Sequence, residues 1–208
     1  MYTPRFNQVD DEDEIRRMVA AARVAWFVTT GQDGAPQATL LPILWRDDRV
    51  IAHLARANRQ WRGLEDGAPA LLVVTGPDAY ITPAWYEGKH TDGRVVPTWN
   101  YTAVHLTGRV MVHHEPEWLR MAVTELTDEH ESGREQPWAV TDAPPDHIDR
   151  ELSGIVGIEV KVTGVEGKAK LSQNRSMTDQ RTVAAGLATE PFPGAAEVSA
   201  AMTARLDP

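Results

Sequence analysis

Arg56, Arg59 and Arg62 fall within seven residues, and Lys168, Lys170 and Arg175 fall within eight. Basic residues occupy about one position in ten of a chain whose formal net charge is -9, so two such concentrations ask for an anion. Asn58 is a good helix N-cap. A helix opening there would turn free amides toward whatever precedes it, with Arg56 adding charge, which makes a phosphate-sized site. The same arginines would also serve as solvated partners of Glu65 and Asp66. Beside the second cluster, Ser172, Gln173 and Asn174 offer short polar groups suited to a phosphate or to an amide-rich ring. They suit equally a polar loop leading into a helix capped by Ser176.

Half of the aromatic residues are tryptophan, seven against four tyrosines and three phenylalanines. Trp85-Tyr86 and Trp99-Asn100-Tyr101 stand where expected strands meet loops. Flat rings beside amides suit a planar, hydrogen-bonding ligand such as a flavin, while core or dimer-interface packing is their other use. Trp26 and Trp118 are expected in the core. The chain has no cysteine, so thiolate nucleophiles, disulfides and Cys-based metal sites are excluded. It carries no dinucleotide-type glycine fingerprint, phosphate loop, Gly-x-Ser-x-Gly or His-Glu-x-x-His motif. Of seven histidines only His113 and His114 are adjacent, and neighbours on a strand point to opposite faces, so no histidine metal site is expected. His53, just ahead of Arg56, is the exception as an axial ligand if the planar cofactor were a heme. Any reaction is therefore expected to run on a bound cofactor rather than on side-chain acid, base or nucleophile, and no catalytic residue is assigned.

These groups need elements to hold them. An acidic start before apolar positions at helical spacing predicts a helix over 10–23. Short apolar segments at 24–30, 36–45 and 50–54, separated by turn residues, predict an antiparallel meander. A short helix is expected over 58–64, and a strand over 70–75 is expected to close at Gly76-Pro77. Residues 88–95 read as a loop, and 96–113 as a long strand. Val104, Leu106, Val110 and Val112 share one parity of that strand, and Trp99, Tyr101, His105 and Arg109 share the other. A helix over 115–132 follows, then a Pro-rich loop, a half-buried strand over 155–165 and a helix over 176–187. An Ala-rich tail over 188–208, able to form a last helix, is expected as an appendage to a single domain over 1–187. Six strands without βαβ alternation predict a mainly β fold with helical additions, a small antiparallel barrel. No apolar run is long enough to cross a membrane and no secretion signal opens the chain, which points to the cytoplasm. The negative charge opposes nucleic acid and anionic membrane alike.

Six blocks taken together have a familiar look: Met1-Tyr-Thr-Pro4, His53-Leu-Ala-Arg-Ala-Asn-Arg-Gln-Trp61, Gly76-Pro-Asp-Ala-Tyr-Ile-Thr-Pro-Ala-Trp-Tyr86, Val96-Pro-Thr-Trp-Asn-Tyr101, Ala103-Val-His105 and Lys170-Leu-Ser-Gln-Asn-Arg-Ser176. In order and spacing they resemble the PaiB-type FMN-binding negative transcriptional regulator family, over residues 1–187. The resemblance implies a split β-barrel that dimerises and binds FMN at the subunit interface, as pyridoxamine-phosphate-oxidase-like flavoproteins do. It implies Arg56 and Asn58 as phosphate contacts, Thr98, Trp99 and Asn100 as ring contacts, and Lys170, Ser172, Gln173 and Asn174 as a further side of the pocket. Arg59 departs from the family's usual proline. The implied function is that of a flavin-dependent regulator or redox sensor. An FMN-dependent oxidoreductase is an alternative, as is a heme enzyme on the same fold resembling the piperazate synthases, which form an N-N bond. No helix-turn-helix is evident, so direct DNA binding is not expected.

Overall fold

A computed structural model describes residues 1–206. Among the described residues there are eight strands: β1 (Gln8–Val9), β2 (Val24–Thr30), β3 (Pro36–Pro42), β4 (Leu44–Arg46), β5 (Arg49–Ala55), β6 (Pro69–Ile81), β7 (Thr98–His113) and β8 (Ile155–Lys170). They form one antiparallel sheet in the order β3-β2-β6-β7-β8-β5-β4, with β1 on β8. The helices are α1 (Glu12–Ala22), α2 (Gly88–Thr91), α3 (Pro116–Glu131), α4 (Pro145–Ser153), α5 (Met177–Leu187) and α6 (Ala195–Leu206). None of them is long and apolar enough to cross a membrane. The chain divides into two compact units, one built from residues 1–18, 75–104 and the part after 165, the other from 19–74 and 105–165.

In the second unit the meander forms because each strand alternates. Ala25, Phe27 and Thr29 of β2 are buried and the residues between them are not. Trp26 therefore lies on the outer face, opposite Leu40 of β3 and Val73 of β6, and is 43% exposed; its expected core position is corrected by its parity. Trp118 of α3 is half-buried, its ring stacked on His113 at 4.0 Å and seated over Gly157, where any Cβ would meet it. The first part of β8 is buried on both faces, from Val156 to Val160, rather than half-buried. The Pro-rich stretch expected as a loop contains α4. Pro145 sits in its first turn, where a missing N–H removes no helical bond.

In the first unit α1 opens on Asp11, whose carboxylate accepts from the amides of Asp13 and Glu14 at 2.9 and 3.3 Å. Ile15, on its apolar stripe, is buried. The strand expected to stop at Gly76-Pro77 continues to Ile81, because Gly76 leaves the space that the Thr102 hydroxyl fills on β7. Residues expected as loop at 88–95 include the single turn α2. The tail is helical: α6 packs on α5, buries Val198 and Met202, and Ser199 donates to the Ala184 carbonyl at 2.7 Å. Its final two residues lie outside the described ones.

Candidate functional site

In the second unit the arginine cluster follows β5. Asn58 caps as its type predicts, its Oδ1 accepting from the Gln60 amide at 2.9 Å. The short helix it opens, Arg59–Gly63, is of the 3₁₀ type. Five residues carry no useful macrodipole, and the Gln60 amide is already taken by its cap. A phosphate grip must come from side chains here. Asn58 Nδ2 donates to the Thr39 hydroxyl at 3.1 Å, and that hydroxyl donates to Gln60 Oε1 at 2.6 Å. Gln60 Nε2, buried, donates to the Phe27 carbonyl and to Thr29 Oγ1, both at 3.0 Å. This network pins the turn to β2 and β3. Arg56 is also tied internally, through Nε to the Ser153 carbonyl at 2.8 Å and Nη2 to the Ile155 carbonyl at 3.0 Å.

Arg59 and Arg62, three residues apart on a three-residue turn, fall on one side of it. They line a cavity of about 370 Å³ with Gly31, Gln32, Asp33, Gln37 and Gly63. The Asp33 carboxylate there already accepts from the Ala35 amide at 3.0 Å. Two exposed guanidiniums over a cavity with glycine walls form a donor set matched to a phosphate. Both arginines belonged to the basic cluster visible in sequence, yet only their spacing on the turn singles them out from Arg56.

His53 of β5 stands opposite Gly157 of β8, with Nδ1 enclosed and unbonded. Burial lowers its pKa from the ordinary 6.5. The unfolded chain then takes up this proton near the ordinary value and the folded chain only at lower pH. Stability is therefore expected to decline as pH falls through 6.5 and to level off below the folded value. Urea midpoints between neutral and mildly acidic pH check this: His53→Gln should flatten part of the slope, and identical slopes in both proteins would refute the assignment.

In the first unit the second basic cluster meets the start of β7. Lys170 Nζ donates to Thr98 Oγ1 at 2.6 Å and to the Trp99 carbonyl. Its pKa is lowered, by burial first and by the charge of Lys168 second. Lys168, itself buried, donates to the Tyr2 carbonyl at 3.0 Å. The Tyr101 ring lies beneath both ammonium groups, 4.9 Å from Lys168 and 6.0 Å from Lys170. Asn100 is fully buried and bonds Ser172 Oγ at 3.0 Å and the Met202 sulfur at 3.5 Å. Ser172 holds a left-handed φ of 66°, and the Gln173 carboxamide accepts from the Leu171 amide at 2.7 Å and donates to the Ala169 carbonyl. Asn174 is exposed in the turn that follows. Trp99 is turned elsewhere: its Nε1 donates to Asp78 Oδ1 at 2.7 Å and its ring meets Tyr80 edge-on. Thr98, the Trp99 carbonyl and Lys170 are thus brought together, as are Asn100 and Ser172, while the Trp99 ring and Gln173 bond elsewhere and Arg56 and Asn58 make their contacts in the other unit.

Comparison with known proteins gives the family. Residues 1–164 match the family model described as "Putative FMN-binding domain". The chain is 35% identical over 210 residues to the "Protease synthase and sporulation protein PAI 2" of Bacillus subtilis (strain 168), covering 99% of this chain and 98% of that one. Among solved structures it resembles an FAD and heme binding protein from Mycobacterium smegmatis, with TM-score 0.61 and 18% identity over 90% of this chain and 82% of that one. The flavocytochrome Anf3 from Azotobacter vinelandii is similar at TM-score 0.61 and 16% identity, over 93% and 81%. The fold is the split β-barrel expected from sequence, and the chain belongs to the FMN-binding, PaiB-type family.

Proposed function

We propose that the protein binds FMN as a homodimer and acts as a flavin-dependent regulator or redox sensor. The paired guanidiniums of Arg59 and Arg62 over an open cavity carry this reading, because a terminal phosphate distinguishes FMN from riboflavin and needs such a partner. Arg56 and Asn58 act by holding the turn. In the first unit Thr98, Lys168 and Lys170 gather about the Tyr101 ring, and the two lysines tie the Tyr2 and Trp99 carbonyls to β8. Asn100, Ser172 and Gln173 hold the strand and loop that carry these groups. A bound flavin would supply electron transfer; the chain's own residues bind it, orient it and set the charge around it. A titration with FMN followed by flavin fluorescence tests this reading, with saturation at one flavin per chain expected and no saturable binding by folded protein contradicting it.

The dimer rests on the outer face of β3, β2 and β6 in the second unit. Leu40, Trp26 and Val73 stand in register across it, with Ala38, Val28 and Leu71 in the next row. Leu40 is 47% exposed and Trp26 43% on an edge of the sheet, an apolar surface that a second copy would cover. Leu40→Asp is expected to convert a dimer at micromolar concentration into a folded monomer in analytical ultracentrifugation. A wild-type monomer, or an unchanged dimer in the variant, would contradict this. Regulation through the flavin rather than through a direct DNA contact agrees with the net charge of -9.

A further inference from the structure

A cavity of about 660 Å³ opens in the first unit among the end of β6, the start of β7 and the turn joining α5 to α6. Its rings are left open: Tyr80 and Trp99 are each 49% exposed and Phe192 is 68% exposed. Trp99 is fixed by its 2.7 Å bond to Asp78 and by Tyr80 against its edge, with centroids 6.0 Å apart and planes at 63°. Gly194, at φ 84°, lets the α5–α6 turn close onto β6, since a Cβ there would come within 2.6 Å of the Asp78 carbonyl. That approach sets Phe192 and Glu190 into the lining. Among the described residues, the charged members of the lining are Asp78 and Glu190, both negative, and no lysine, arginine or histidine lines it.

Aromatic faces attract cations through the ring quadrupole, and carboxylates add direct charge. An apolar body would fill the volume that a bare metal ion or a hydrated amine leaves empty. We propose that this cavity binds a small organic cation, an ammonium group carrying an apolar or aromatic body. A phosphate-bearing flavin would meet two like charges here, so the site is separate from the one proposed for FMN and does not rest on that reading.

The test uses the full-length protein, phenyltrimethylammonium as the probe and tert-butylbenzene as its neutral isostere, followed by tryptophan fluorescence. Saturable binding of the cation is expected, at least about tenfold tighter than any binding of the isostere. Glu190→Gln and Phe192→Ala, both at the mouth, are each expected to weaken the cation by about fivefold with circular dichroism unchanged. Saturating FMN is expected to leave the cation's affinity unaltered. Equal binding of the isostere, full affinity in both variants, displacement by FMN, or no saturation by folded wild-type protein at millimolar probe would each overturn the proposal.

Discussion

Replacing Arg59 and Arg62 together by alanine is expected to lower FMN affinity by about 100-fold, two charge-assisted phosphate contacts being lost at once. Riboflavin affinity should not change, since riboflavin has no phosphate for them to hold. Both side chains are exposed on the 3₁₀ turn, so the thermal midpoint should move little. Isothermal titration with both ligands separates the outcomes. An equal fall for FMN and riboflavin would mean that the variant had disturbed the turn rather than a phosphate contact. Arg56→Ala is expected to behave in that second way, because its guanidinium joins β5 to the Ser153 and Ile155 carbonyls.

The largest effect on stability is expected from Gln60→Leu. The wild-type carboxamide satisfies the Phe27 carbonyl, the Thr29 hydroxyl and the Thr39 hydroxyl from a buried position. Leucine fills a similar volume and answers none of them. Leaving buried polar groups unpaired costs about 1–3 kcal/mol each, reduced where a hydroxyl can rotate to another partner, so a loss of about 3 kcal/mol is expected. For a chain of this size that lowers the melting temperature by roughly 6–12 °C. Thermal denaturation followed by circular dichroism measures it, and a shift below about 2 °C would show that the network does not hold the turn. FMN affinity should fall as well, since Arg59 and Arg62 ride on that turn. Contact residues thus change affinity alone, and Gln60 changes affinity and stability together.

Much of the scaffold is legible in the residues. β2 occupies the segment expected from its alternation, α5 begins after Ser176, whose hydroxyl accepts from the Asp179 amide, and the parity of β7 separates buried Val104, Leu106 and Val110 from its outer face. The failures share a cause: local signals yielded to partners distant in sequence. Gly76-Pro77 reads as a strand end until Thr102 is known to occupy the glycine's space. Trp26 reads as core by its size, yet its register with Leu40 sets it outside. Asn100 pairs with Ser172, far along the chain, and lies fully inside, which no signal local to residue 100 announces. At the candidate site, basic clustering marks the turn that carries the proposed phosphate contacts. It could not tell Arg56, bound to carbonyls, from Arg59 and Arg62 over a cavity, because that distinction depends on the turn being 3₁₀.

Arg59 and Arg62 are proposed to hold FMN by its phosphate. Parallel titrations of the purified wild-type protein with FMN and with riboflavin, at one pH and ionic strength, test it most directly. Binding of FMN at one per chain and about 100-fold more tightly than riboflavin is predicted. Equal affinity for the two ligands would contradict it, since nothing in the protein would then be gripping the phosphate.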